Sequence, residues 1–262
     1  MTAPILVTGG TGLLGREVVP LLRAAGHPVR ILSRSGGAPA EGVEHVTADL
    51  TTGEGVAEAA QDVHTVLHLA GLPKRDGEIT RNLVEGLRGA AVEHLIHISV
   101  IGVDRVPVRS AIDRGAFGYF AGKAEAERAV EASGIPWTTL RAAQFHEFVQ
   151  ANFAAMARMP IVPAPSGMSA QPVATAEVAA RLVELAEGEP AGLVEDLAGP
   201  EVLSFTDMLR GYLAATGRRR PVVGLRMPGA AAQAFREGAN LAPDRAVGTQ
   251  TWQQSLALLP AA

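Results

Sequence analysis

The sequence predicts an α/β protein: a doubly wound parallel sheet, followed by a smaller C-terminal region that covers a substrate. Two observations carry this prediction. Short β-branched runs alternate with longer helical patterns up to about residue 144, and the first run passes through three spaced glycines straight into a helix. Strand and helix in strict alternation require parallel pairing with right-handed crossovers.

Taken in order, the strands are PILV (4–7), VRILS (29–33), EHVTA (44–48), TVLHLA (65–70), HLIHIS (94–99) and WTTLRA (137–142). Several are apolar almost throughout, as strands covered on both faces are. Helical patterns fill 15–26, 80–91 and 122–134, with Pro20 inside the first, where it can kink the helix. Beyond residue 144 the rhythm breaks: MPIVPAPSGMSAQPV (159–173) is a long Pro-rich connection of the kind that lines or covers a site, and helices return at 175–187 and 205–216. The organisation expected is one domain over 1–262, with residues 144–262 forming the substrate cap. No repeat or low-complexity block interrupts it.

Composition excludes several classes. A hydrophobic share of 47% in 262 residues belongs to a globular protein with a substantial core. A net charge of −4 gives no basic field for nucleic acid, and Arg218 to Arg220, before Pro221, read as a solvated turn. With no Cys there is neither a disulfide framework nor a thiolate, which fits a reducing compartment. The N-terminus reaches glycine before a signal-like hydrophobic region forms, and no apolar run approaches the roughly 18 residues of a membrane span. A soluble, cytoplasmic protein without membrane partners is expected. Its oligomeric state is not legible.

The strongest motif is ILVTGGTGLLGREVV, which sets Gly9, Gly12 and Gly15 in a G-x-x-G-x-x-G turn opening a helix. The glycines allow a tight turn, close approach of backbone to a pyrophosphate, and close packing of helix on strand. The unpaired N–H groups at the helix start then face the anion. Thr11, Leu13 and Leu14 belong to the same expected contact surface. This is a Rossmann-type arrangement for a dinucleotide. At the end of the second strand stand Ser33 and Arg34 in ILSRSGG, where an acidic residue would select NAD. A guanidinium matches a phosphate, so NADP(H) is expected over NAD(H); Arg16 offers another positive charge.

Together with ADL (48–50), LAG (69–71), Asn82, a serine at the end of the fifth strand and Tyr119-x-x-x-Lys123, the TGGTGLLG loop resembles the short-chain dehydrogenase/reductase superfamily. The likeness is closest to the extended and atypical branches, including NmrA-like NAD(P)-binding proteins. It implies that Asp49 and Leu50 flank the adenine, that Ala70 and Gly71 pass along the dinucleotide, and that the segment from Ala142 and Ala143 to Phe145 meets the nicotinamide. It also implies that His146 faces a substrate, although His146 also reads as a helix-start histidine; Gln144 and Phe145 of the cap are substrate candidates beside it.

In that superfamily the tyrosine exchanges a proton with the substrate oxygen, while the lysine holds the nicotinamide ribose and lowers the phenol's pKa. On that pattern Tyr119, Lys123 and Ser99 are the catalytic candidates, Ser99 polarising a carbonyl. The other reading of Tyr119 and Lys123 is an amphipathic helix, with the lysine solvated beside Glu127. The His64/His68 and His94/His97 pairs lie in or beside apolar strands and read as packed histidines rather than a metal site; no metal is expected. There is no H-E-x-x-H and no G-x-S-x-G. The function expected is an NADP(H)-dependent oxidoreductase passing hydride between nicotinamide and a carbonyl, quinone or activated double bond. Gln144, Phe145, His146 and Met168 offer no charged clamp, which suits a small neutral substrate. The alternatives are a non-catalytic cofactor sensor with a protein partner, and an isomerase or epimerase with bound nucleotide.

Overall fold

The computed structural model describes residues 3–37 and 40–259. In chain order its elements begin with β1 (Ile5–Thr8), α1 (Leu13–Ala24), β2 (Val29–Ser33), β3 (Val43–Thr47), α2 (Val56–Ala59), β4 (Thr65–His68), α3 (Asp76–Gly86), β5 (His94–Val100), α4 (Ala111–Glu131) and β6 (Trp137–Ala142). There follow α5 (His146–Met156), β7 (Val162–Pro165), β8 (Ser169–Ala170), α6 (Thr175–Glu187), β9 (Gly192–Leu193), β10 (Leu203–Ser204), α7 (Phe205–Ala215), β11 (Val222–Leu225), α8 (Ala230–Arg236) and α9 (Trp252–Ala257). The chain divides into two compact units. One comprises Met1–Ser99, Tyr119–Leu140 and Ala176–Val194; the other comprises Val100–Gly118, Arg141–Thr175 and Glu195–Ala262.

The first unit is built on a seven-stranded sheet in the order β3-β2-β1-β4-β5-β6-β9, paired in parallel. From β1 the chain winds one way to β3 and then the other way to β9. The reversal falls between β1 and β4, where a doubly wound sheet opens a crevice beyond its carboxyl ends. Every residue of β1 and of β5 is buried, as central strands covered on both faces must be. Leu6, Val66 and Leu95 of the sheet share a core with Val56 and Ala59 of α2 and with Ile79 and Leu83 of α3. The register pairs Thr8 with His68 and His68 with His97, setting three polar side chains on adjacent strands near their carboxyl ends.

The six expected strands are all present, with ends displaced by at most two residues. The expected fold class is therefore the observed one. The helices differ more. α1 continues unbroken through Pro20, which stands on its exposed side. α3 occupies Asp76–Gly86 rather than 80–91, because the Asp76 carboxylate accepts the Leu72 N–H at 2.5 Å and fixes the helix entry. α4 begins at Ala111 rather than 122. Ser110 Oγ accepts the Asp113 N–H at 3.0 Å, while Asp113 accepts the Ser110 N–H at 3.0 Å and its hydroxyl at 2.8 Å. This reciprocal cap starts the helix early. Tyr119 thus lies well inside a 21-residue helix, not at its first turn.

The second unit packs α5, α7 and α9 through Val149, Phe153, Met208, Tyr212, Trp252 and Leu256. The Pro-rich segment 159–173 is more ordered than its composition suggests. It contains β7, parallel to β11, and β8, antiparallel to β10. Its ladder uses the N–H groups of Val162 and Ser166, each 2.9 Å from its acceptor, while Pro163 and Pro165, at the intervening register positions, have no N–H to donate. Among the described residues no helix is long and apolar enough to cross a membrane.

Candidate functional site

The glycine loop after β1 uses its three glycines in three different ways. Gly9 has φ +72°, and a Cβ there would stand 2.6 Å from Ala70 N, so both conformation and neighbour require glycine. On Gly15 a Cβ would collide with the carbonyl oxygen of Gly9, because α1 packs directly on the loop. Gly12 has an ordinary φ of −77°, and a Cβ there would meet only Gly9 O, at 3.2 Å. Little in the protein itself demands a glycine at 12, and a pyrophosphate lying against this backbone would. α1 begins at Gly12 with no side-chain cap and no acidic residue in its first turn, so its N–H groups and positive dipole end suit an anion. Leu13 and Thr11 are exposed and Leu14 is buried. Arg16 donates to Thr11 O at 3.0 Å.

The ends of β2 and β3 supply the next group. Ser33 donates its hydroxyl to Gly36 O at 2.9 Å. Arg34 is exposed and has no ion-pair partner among the described residues. Asp49 accepts both the N–H and the hydroxyl of Thr51 at 2.8 Å. These bonds, and then the charges of Arg34 and Arg75, hold its carboxyl below the ordinary range. Arg75 is a cation the sequence reading missed. It directly precedes α3 and is gripped by both oxygens of Glu78, at 2.7 and 2.5 Å. Leu50 is buried, and its carbonyl accepts from the Asn82 amide at 2.8 Å.

Ala70 and Gly71 follow β4, and Ala70 is fixed by a chain of bonds through buried His68. The Ala70 N–H donates to Thr8 Oγ1 at 3.2 Å, so the Thr8 hydroxyl proton goes to His68 Nδ1, 2.8 Å away. His68 Nε2 then carries the ring proton and donates to Thr80 Oγ1 at 2.9 Å, whose own proton goes to Asp76 O at 2.7 Å. One neutral tautomer satisfies every member. Burial, and then the Lys123 charge, lower its pKa to about 3.

The catalytic candidates lie beside this chain. Lys123 is 4% exposed; its ammonium donates to Ile98 O at 3.0 Å, one residue before Ser99, and lies 5.9 Å from the Tyr119 ring centroid. Asp76, 1% exposed, places Oδ2 3.9 Å from the ammonium. Burial pushes the Lys123 pKa down, opposed by Asp76 and Glu127. Tyr119 keeps 40% of its surface exposed. Its phenol pKa is nonetheless raised, by the low-dielectric surroundings of the hydroxyl and then by the Asp76 carboxylate, whereas the family pattern has the lysine lowering it. Ser99 is buried, and its hydroxyl has no hydrogen-bond partner among the described residues. Lys123, Tyr119 and the carbonyl next to Ser99 are thus brought together; Ser99 Oγ itself is not bonded to either side chain.

The remaining expected residues belong to the second unit. Ala142 pairs with Leu197, and Ala143 donates to Leu197 O at 2.9 Å; both are buried. Gln144 and Phe145 are half-buried beside Val173. His146 is fully buried, with Nδ1 3.1 Å from Gln250 Oε1 and its ring edge-on to Trp252.

A parallel, doubly wound sheet whose first strand feeds a glycine loop into an uncapped helix start defines a dinucleotide-binding protein of the Rossmann type. The chain belongs to the NAD(P)H-binding family, whose model matches residues 9–189, and the expected place in the atypical short-chain dehydrogenase/reductase branch is borne out. An NAD(P)H azoreductase from Xenophilus azovorans is 26% identical over 91% of this chain and 87% of its own. A (4-alkanoyl-5-oxo-2,5-dihydrofuran-3-yl)methyl phosphate reductase from Streptomyces griseus is 33% identical over 54% of this chain and 48% of its own. The phenylcoumaran benzylic ether reductase POP1 from Populus trichocarpa is 29% identical over 72% of this chain and 60% of its own. The chain therefore spans about half the length of the last two relatives. In fold it is similar to an Escherichia coli NADPH-dependent quinone oxidoreductase complexed with NADPH, with a TM-score of 0.77, 19% identity and 97% and 98% of the two chains covered.

Proposed function

We propose that this protein is an NADP(H)-dependent oxidoreductase that passes hydride between nicotinamide and a carbonyl, quinone or activated double bond of a small neutral molecule. The observation that carries the reading is the buried Lys123 ammonium, fixed 3.0 Å from Ile98 O beneath the half-exposed Tyr119 ring. A merely amphipathic helix would leave that lysine in water. Support also comes from the azoreductase, which matches most of both chains. On this reading Gly9, Gly12 and Gly15 hold the pyrophosphate, Arg34 meets the adenosine 2′-phosphate, and Lys123 meets the nicotinamide ribose. The bound dinucleotide supplies the hydride carbon.

Tyr119 then supplies the proton. Its raised pKa keeps the phenol protonated at neutral pH, which suits donation from Oη to an oxygen that gains negative charge as hydride arrives at the adjoining carbon. Ser99, whose hydroxyl is uncommitted among the described residues, is the donor proposed to polarise that oxygen. The test is NADPH oxidation by purified protein with a panel of quinones, ketones, azo compounds and enones, followed at the cofactor's absorbance. Turnover with at least one class, faster with NADPH than with NADH, is expected. Tight NADPH binding without turnover of any class would replace this reading with a cofactor sensor.

A further inference from the structure

We infer that Asp76 is a positioning residue for Lys123, its buried carboxylate reaching across from α3 to hold the buried ammonium as a cation. The purpose of this device rests on the oxidoreductase reading; the ion pair itself does not. Asp76 opens α3, and its two oxygens are used differently. Oδ1 takes the Leu72 N–H at 2.5 Å and so fixes the loop after β4. Oδ2 has no hydrogen-bond partner among the described residues and faces Lys123 Nζ at 3.9 Å. The carboxylate is almost wholly buried and takes no stronger ion pair among the described residues.

The groups around the ammonium come from four elements. They are Asp76 of α3, Glu127 and Tyr119 of α4, His68 of β4, and His97 of β5, which stacks on His68 with centroids 5.3 Å apart. Both imidazoles are pushed low by burial and by the ammonium, so they are neutral at ordinary pH and do not balance its charge. Burial favours loss of the lysine proton, and the two carboxylates oppose it, together with the Ile98 carbonyl that accepts from the ammonium. Of the two, Asp76 also ties the loop carrying Ala70 and Gly71. One carboxylate thus couples the lysine to the strand-end segment expected to run along the dinucleotide.

The chain has just two lysines, Lys74 and Lys123. Protein carrying lysine labelled with carbon-13 at Cε therefore gives two signals, and Lys74→Arg assigns them. Asp76→Asn keeps the shape and the acceptor for Leu72 while removing the charge. Its Lys123 signal should titrate at least about one pH unit below the wild-type midpoint, with Asp76→Glu close to wild type. NADPH affinity measured by calorimetry should fall in Asp76→Asn as pH rises through that lowered midpoint, whereas a purely structural role would weaken binding equally at every pH. Superimposable titrations of Lys123 in wild type and Asp76→Asn would overturn the inference. If Asp76→Asn does not fold, Asp76→Asn/Lys123→Met decides: recovery of the fold identifies the unpaired ammonium as the fault and supports the inference, and continued unfolding overturns it. Separately, unchanged NADPH affinity in Lys123→Met would remove the cofactor contact from the oxidoreductase reading and leave the ion pair standing.

Discussion

Gly12→Ala separates what the fold needs from what a bound phosphate needs. The added methyl meets only Gly9 O, at 3.2 Å, and the backbone φ of −77° is open to any residue. The cost to the fold is therefore modest: a poorer start for α1, about 0.5–1.5 kcal/mol, since alanine caps a helix worse than glycine, and a shift of a few tenths of an ångström at the Gly9 carbonyl. The cost to binding is larger. A methyl where the pyrophosphate should lie against the backbone displaces it from the helix N–H groups, and the loss of one or two charge-assisted bonds, about 1.5–3 kcal/mol each, weakens NADPH at least roughly tenfold. Gly15→Ala should behave in the opposite way, destabilising the fold outright because its methyl collides with Gly9 O. Thermal unfolding with and without NADPH, together with calorimetric titration, reads both quantities. A folded Gly12→Ala protein that binds NADPH within about threefold of wild type would refute the assignment of the loop to phosphate.

Arg34→Ala should weaken NADPH by about 1.5–3 kcal/mol and leave NADH nearly unchanged, which paired titrations measure; equal losses would remove the 2′-phosphate from Arg34. Tyr119→Phe should bind NADPH normally and lose about 10²–10⁴ in turnover, and steady-state kinetics would show otherwise if the tyrosine only packs the helix. His68 has a folded-state pKa of about 3, below the ordinary imidazole value. The unfolded chain therefore binds its proton first on acidification, and the stability present above about pH 6.5 should be lost as pH falls toward the folded value, at about 1.4 kcal/mol per pH unit. Urea unfolding at pH 7 and 5 reads this slope, and a flat result would contradict a neutral buried His68. His146→Ala should cost about 1–3 kcal/mol of stability through its lost bond to Gln250; an unchanged urea midpoint would mean that the buried ring contributes nothing to the second unit.

The sheet was legible because its strands obey one rule: VRILS and WTTLRA are bounded as observed, and the glycine loop announces its own geometry. The helix starts were less legible. Ser110-Ala111-Ile112-Asp113 is a capping box written in the sequence, yet Gly115 and Gly118 hid the helix that follows it. β7 was masked for a comparable reason, since its prolines argue against a strand until the register puts their missing donors at alternate positions. At the candidate site the spacing of Tyr119 and Lys123 could be read directly, whereas Asp76 and Arg75 could not. Asp76 meets Lys123 only through the packing of α3 beside α4, a contact across 47 residues that no local pattern records. Likewise the Thr8–His68–Thr80 chain depends on strand register, so a histidine that reads as ordinary core turns out to fix the backbone at Ala70.

The central claim is that hydride leaves the nicotinamide for an organic acceptor while Tyr119 supplies the proton. NADPH deuterated at nicotinamide C4 tests it directly, with the product of whichever panel compound turns over examined by mass spectrometry. With a ketone or enone, wild type should place deuterium on carbon in the product in proportion to NADPH consumed. With a quinone or azo compound, whose new O–H and N–H bonds exchange with water, it should instead consume the deuterated NADPH more slowly than the protiated cofactor. Tyr119→Phe, still binding NADPH, should do almost none of either reaction. NADPH bound tightly by both proteins, with neither deuterium on product carbon nor consumption of NADPH with any compound, would contradict the account.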